Sequence, residues 1–144
     1  MEQTEKRKRI MILLQRKYRS LEEIEGITRQ MEEALSRKDE VSFRLLLKMR
    51  AEEMARVDRA QEDLWQAGET SAADGILLKR FLGDEFLEKE KEDPDEERIR
   101  KLRLATRALL DRLRGEDRRL NLRMAGDKSW YTGEKGAGVR RSER

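Results

Sequence analysis

Apolar residues recur along this chain at helical spacing, in four stretches separated by short breaks. In the first, Ile10, Leu14, Leu21, Ile24, Met31 and Leu35 fall on a and d heptad positions, and Leu13, Ile27 and Ala34 widen the stripe beside them. The pattern predicts a helix from about Thr4 to Ser36, which at 1.5 Å per residue is roughly 50 Å long. Lys17 and Thr28 interrupt its seam, and Gly26 costs about 1 kcal/mol of local helix stability relative to Ala. A helix of that length needs long neighbours to cover it.

Arg37-Lys38 ends this stretch, and Asp39 is placed to cap the next. A second helix is predicted to about Ala67, with Phe43, Leu47, Met54, Val57 and Leu64 on one stripe and Leu46 beside it. The turn is so short that the two helices must be antiparallel neighbours. Gly68 closes the second helix. Ser71-Ala72-Ala73-Asp74 resembles a capping box for a shorter third helix presenting Leu78, Phe81, Leu82 and Phe86, which Gly75 and Gly83 make the least regular.

The strongest local signal is Asp93-Pro94-Asp95-Glu96. Asp93 takes the N-cap, the single proline of the chain takes N1, and acids fill the first turn, where the helix dipole favours them. The last helix then carries Ile99, Leu102, Thr106, Leu109, Leu113 and Leu120, with Leu110 alongside. Gly115 is a potential bend, and Gly126 is placed as a left-handed terminator. The expectation is an all-α fold: an elongated antiparallel helical bundle of three long helices and one short one over residues 1–125. A polar, flexible C-terminal tail is expected over 126–144.

Composition narrows the function classes. Charged residues are 45 % of the chain and hydrophobic ones 36 %, yet the net charge is +3, so self-repulsion gives no reason for an expanded chain. Abundant Ala, Glu, Lys, Leu and Arg at helical period point to long helices instead. There is no Cys and no His, which removes disulfides, thiol nucleophiles, histidine bases and the usual zinc ligands. Neither a metal nor another cofactor is expected. Carboxylate pairs such as Glu22-Glu23, Glu52-Glu53 and Glu96-Glu97 carry no catalytic signal in so acidic a chain, and no phosphate loop or nucleophile motif occurs, so an enzyme is not expected. The short apolar run Ile10 to Leu14 cannot span a bilayer, and a cytoplasmic protein without membrane insertion is expected.

Charge is also segregated along the chain. Asp84 to Glu97 holds nine acids and two lysines, whereas Arg98 to Arg123 holds ten bases and three acids. The arginine-rich last helix admits a nucleic-acid reading, against which stand the repelling acidic block and the lack of any base-reading motif. The methionines suit either core or an adaptable groove. Trp130-Tyr131, inside the polar tail, either folds back over the bundle end or anchors a second protein, a role that aromatics favour.

The stretch Leu35 to Asp58 combines a charged turn holding an acidic residue, a second helix opening on Phe43 and Leu45-Leu46-Leu47, and a Glu- and Arg-rich run. It resembles the flagellar export chaperones of the FlgN and FliT type. Leu77-Leu78-Lys79-Arg80-Phe81 resembles their short helix, and Leu109-Leu110 through Leu120-Asn121 their last helix. The likeness extends over about residues 5 to 125 in order and layout. It departs near Gly126, where the family pattern often continues with further apolar turns.

The resemblance implies a non-enzymatic cytoplasmic chaperone that holds the C-terminal helical segment of a hook-associated or filament-cap protein before type III export. The client helix would lie in a groove between the second and last helices, lined by Leu47, Met54, Val57, Leu109, Leu113 and Leu120. Trp130 and Tyr131 would match the family's aromatic contact with the export gate. A self-associating structural coiled coil, such as a homodimer, and an arginine-rich nucleic-acid adaptor are the alternatives.

Overall fold

The computed structural model describes residues 2–126, and every regular element among them is helical. In order these are α1 (Glu2–Arg37), α2 (Glu40–Gly68), α3 (Ala72–Leu82), a 3-10 turn (Glu85–Leu87) and α4 (Pro94–Gly126). This is the all-α bundle of three long helices and one short one that the periodicity predicts.

Short polar signals set the breaks. α1 closes on Lys38, whose left-handed conformation (φ 56°) lets the Asp39 amide bond back to the Ala34 carbonyl at 2.8 Å. Asp39 then caps α2 by accepting from the Ser42 amide at 3.0 Å. Ser71 Oγ accepts from the Asp74 amide at 3.1 Å to open α3, and Asp93 Oδ2 accepts from the Glu96 amide at 3.0 Å ahead of Pro94. All three caps were legible as residue types.

Two local expectations differ. Phe86 belongs to the 3-10 turn and not to α3, although it is buried and packs edge-on against Phe81 with ring centroids 5.1 Å apart. Gly126 is still part of α4 and has no left-handed φ, so it does not act as the expected terminator.

α1 is the spine. It packs along α2 on one flank and α4 on the other, whereas α2 and α4 scarcely approach each other. The register shows the directions: Lys17 meets Gln61 and Thr28 meets Arg50, so α1 and α2 are antiparallel. Arg7 meets Glu96, Glu25 meets Arg112 and Ser36 meets Arg123, so α4 runs parallel to α1.

Three apolar clusters lie along the spine. Ile10, Leu13, Leu14, Leu64, Leu78, Phe81, Phe86 and Ile99 form the first, where α3 closes the end. Leu21, Ile24, Leu109 and Leu113 form the middle one. Ile27, Met31, Ala34, Leu35, Phe43, Leu46 and Leu120 form the third, beside the α1–α2 turn. Burial of these faces is the main drive for assembly.

Candidate functional site

Because α1 holds α2 and α4 apart, a furrow runs between them. Near its α3 end it opens into a cavity of about 500 Å³, lined by Leu14 and Lys17 of α1, Gln61, Leu64 and Trp65 of α2, Leu82 of α3 and a face of α4 from Arg103 to Arg114. Farther along, Arg50 of α2 spans the gap, donating to Thr28 Oγ1 at 3.2 Å and pairing with Asp117 of α4. Both polar interruptions of the α1 seam therefore face this furrow, each met by a side chain of α2.

The residues expected to line a groove separate into two groups. Leu47 and Met54 are 42 % and 47 % exposed, on the flank of α2 that carries Arg50 toward α4. Val57 is half-buried against the middle cluster. By contrast Leu109, Leu113 and Leu120 are 0 %, 6 % and 3 % exposed. The expectation that these three leucines line an open groove is therefore corrected. Those leucines point at α1, with Leu21, Ile24 and Met31, and are core. The α4 side of the furrow falls instead to Arg103, Thr106, Leu110 and Arg114.

The furrow also holds residues that the periodicity did not single out. Trp65 is 53 % exposed at its rim. It lies eleven residues after Met54, three helical turns on, so helical spacing from Leu47 and Met54 could have found it. Lys17 was visible as a break in the seam, but its partner was not.

Charge in the cavity is one-sided. Lys17 Nζ donates to Gln61 Oε1 at 3.0 Å, and burial first, then Arg103, pushes the ammonium below its ordinary range. Arg103 Nη1 donates to the carbonyls of Phe81 and Gly83 at 2.9 and 2.7 Å, capping the end of α3. Burial and the neighbouring Arg107 both weaken its hold on the proton, with Asp84 opposing them. Arg107 pairs with Asp84 at 2.8 Å and Arg114 with Asp111 at 3.1 Å. Neither Lys17 nor Arg103 has a carboxylate within 4 Å among the described residues.

Elsewhere the charge of α4 is largely used inside the molecule. Arg112 bonds Glu25 at 2.9 Å, Arg119 faces Glu32 at 3.7 Å, and Arg100 pairs with Glu97 at 3.0 Å. The acidic block is engaged in the same way, with Glu96 gripped by Arg80 at 2.6 Å and by Arg7 at 3.3 Å. Among the described residues no cluster of carboxylates is suited to a metal ion, and no helix is long and apolar enough to cross a membrane. Trp130 and Tyr131, the expected export-gate contact, lie outside the described residues. No protein-family model matches this chain, and neither a curated protein nor a solved structure matches it.

Proposed function

We propose that this chain is a helix-binding module whose furrow between α2 and α4 receives an amphipathic helix of another protein. One observation carries the reading: two long helices diverge from a common spine and leave apolar side chains facing the gap. Leu47, Met54 and Trp65 border it from α2, and Leu110 from α4. Their spacing follows helix turns. A docked helix satisfies its own backbone hydrogen bonds, whereas an extended peptide would leave its amides unpaired against these side chains. Such a client completes a four-helix arrangement in which its apolar face no longer meets water.

Together with the sequence resemblance, this supports a cytoplasmic chaperone of flagellar type III export. Its client would be the C-terminal helix of a hook-associated or filament-cap protein, with Trp130 and Tyr131 reserved for the export gate. Nothing in this role calls for catalysis or a cofactor.

The test is titration of the full chain, carrying Trp130→Phe, with synthetic C-terminal helices of those client classes, read through Trp65 fluorescence. The reading predicts saturable binding with a blue shift, lost in Met54→Glu. Absence of binding, or binding indifferent to Met54→Glu, would refute it. A second reading, self-association, is favoured by Val41, Leu45 and Met49, an exposed apolar row at four-residue spacing on α2. Light scattering at rising concentration decides that point.

A further inference from the structure

Resting on the helix-binding reading, we propose that the furrow selects its client by an acidic side chain. The docked helix carries a glutamate or aspartate beside its apolar row, and Lys17 and Arg103 receive it.

Lys17 occupies a seam position of α1 that would otherwise be apolar, and Leu14, Leu64 and Leu82 line the same cavity. A partly buried ammonium there is costly unless an anion meets it. It has three donors, and the structure gives it one neutral acceptor, Gln61 Oε1. This chain supplies carboxylates to other mostly buried cations, as Glu96 serves Arg7, Asp117 serves Arg50 and Glu97 serves Arg100. Asp111, the acid that lines the cavity, is taken by Arg114, and Asp84, which acts on Arg103 only beyond 4 Å, is taken by Arg107. The charge on the furrow floor is thus left over, and it faces the gap where the client lies.

An incoming carboxylate turns that cost into a charge-assisted hydrogen bond, made in surroundings drier than a surface pair enjoys. The position is also specific. Trp65 and Leu110 border the same cavity, so the acid must sit one turn from residues that bury against an aromatic face and a leucine. Nucleic-acid phosphates fit poorly among these leucines and would favour outward-facing arginines instead.

The experiment is selection from a displayed library of 18-residue amphipathic helices, with apolar a and d positions and the remaining positions randomised, against the full chain. The inference predicts Glu or Asp at one fixed register position. In the selected peptide, Glu→Gln at that position should weaken binding about tenfold or more. Two chain variants locate the receptor. Lys17→Met removes the charge, and Gln61→Glu neutralises it in place by giving Lys17 an internal partner without opening a cavity. Both should discriminate far less between helices with and without the acid, Arg103 supplying what preference remains, and Gln61→Glu should melt no lower than wild type.

Selected helices with no fixed acidic position would overturn the inference while leaving helix binding intact. The same holds if the acid preference is undiminished in both variants. If no helix is enriched over a Met54→Glu control chain, the helix-binding reading falls and takes the inference with it. A dimer that buries Trp65, or protection of Trp65 that is lost when residues 127–144 are removed, would assign the furrow to this chain itself and overturn the acid-bearing client.

Discussion

Arg50 of α2 pairs with Asp117 of α4 across a gap that the two helices do not otherwise close. The arginine is the inner partner. Its side chain is mostly buried and also donates to Thr28 Oγ1 on α1, whereas Asp117 is nearly half exposed. Removing Arg50 takes away both bonds and their packing. Removing Asp117 takes away one partly screened charge. Arg50→Met should therefore cost about 1–3 kcal/mol, and Asp117→Ala under about 1 kcal/mol. Urea unfolding of the two variants measures the difference, and equal losses would contradict this view of the bridge.

The leucines and methionine first assigned to one groove should separate by stability. Leu109, Leu113 and Leu120 are buried against α1, so truncation to Ala should cost about 2–5 kcal/mol each. Leu47→Ser and Met54→Ser, on the open flank of α2, should stay within about 0.5 kcal/mol. Thermal melts followed by circular dichroism distinguish the two sets. A Met54→Ser chain as damaged as Leu113→Ala would mean that the furrow is closed.

The same contrast shows what the sequence made legible. Heptad period and the caps at Asp39, Ser71 and Asp93 define the three long helices and the start of α3 to within about two residues, because these signals are local, whereas α3 ends at Leu82, short of Phe86. What period cannot say is which neighbour a stripe faces. Leu109, Leu113 and Leu120 share a row with Leu47 and Met54 in the sense of spacing alone. The structure turns one row inward and the other outward because α1, and not α2, is the partner of α4. That choice depends on side chains far apart in sequence, such as Glu25 with Arg112 and Ser36 with Arg123. Lys17 and Thr28 were visible as blemishes in an apolar seam, but their use required knowing that Gln61 and Arg50 stand opposite.

Glycines give a test of packing by opposite signs. A Cβ at Gly26 or Gly115 would meet nothing within 4 Å, and both sit inside long helices. Ala at each should add about 0.5–1 kcal/mol through helix propensity. A Cβ at Gly68 would lie 2.6 Å from Leu78 Cδ2 and 3.3 Å from its Cβ, at the point where α2 meets α3. Leu78 is buried and has little room to yield, so Gly68→Ala should lose about 1–3 kcal/mol. Denaturant midpoints for the three variants check the pattern. Stabilisation by Gly68→Ala would show that the α2–α3 contact is looser than this packing requires.

Acid should unfold the bundle through identifiable carboxylates. Hydrogen bonding from Arg80, against some cost of burial and with help from Arg7, holds the Glu96 carboxyl below its ordinary value of 4.5. Arg112 does the same for Glu25, with burial opposing and Arg29 adding to the effect. A depressed carboxylate stabilises the fold fully above its unfolded value, and that contribution is lost as the pH falls through the folded one. Glu116 behaves oppositely. Burial first, and the nearby Glu25, raise its pKa, and its Oε1 is buried without a hydrogen-bond partner. Its ionised form therefore costs stability above the raised value, and that cost is relieved as pH falls toward 4.5. Stability measured downward from pH 7 should change little or rise slightly at first, then drop below about pH 4.5 as Glu96 and Glu25 are protonated. Glu116→Gln should remove the early rise. Glu96→Gln should lower stability at pH 7 by about 1 kcal/mol, discounted because Arg80 is half exposed, and make the acid limb shallower. Urea midpoints between pH 3 and 7 for wild type and both variants test each sign. An acid limb left as steep by Glu96→Gln would mean that the contact of Glu96 with Arg80 and Arg7 does not hold the short α3 end to the bundle.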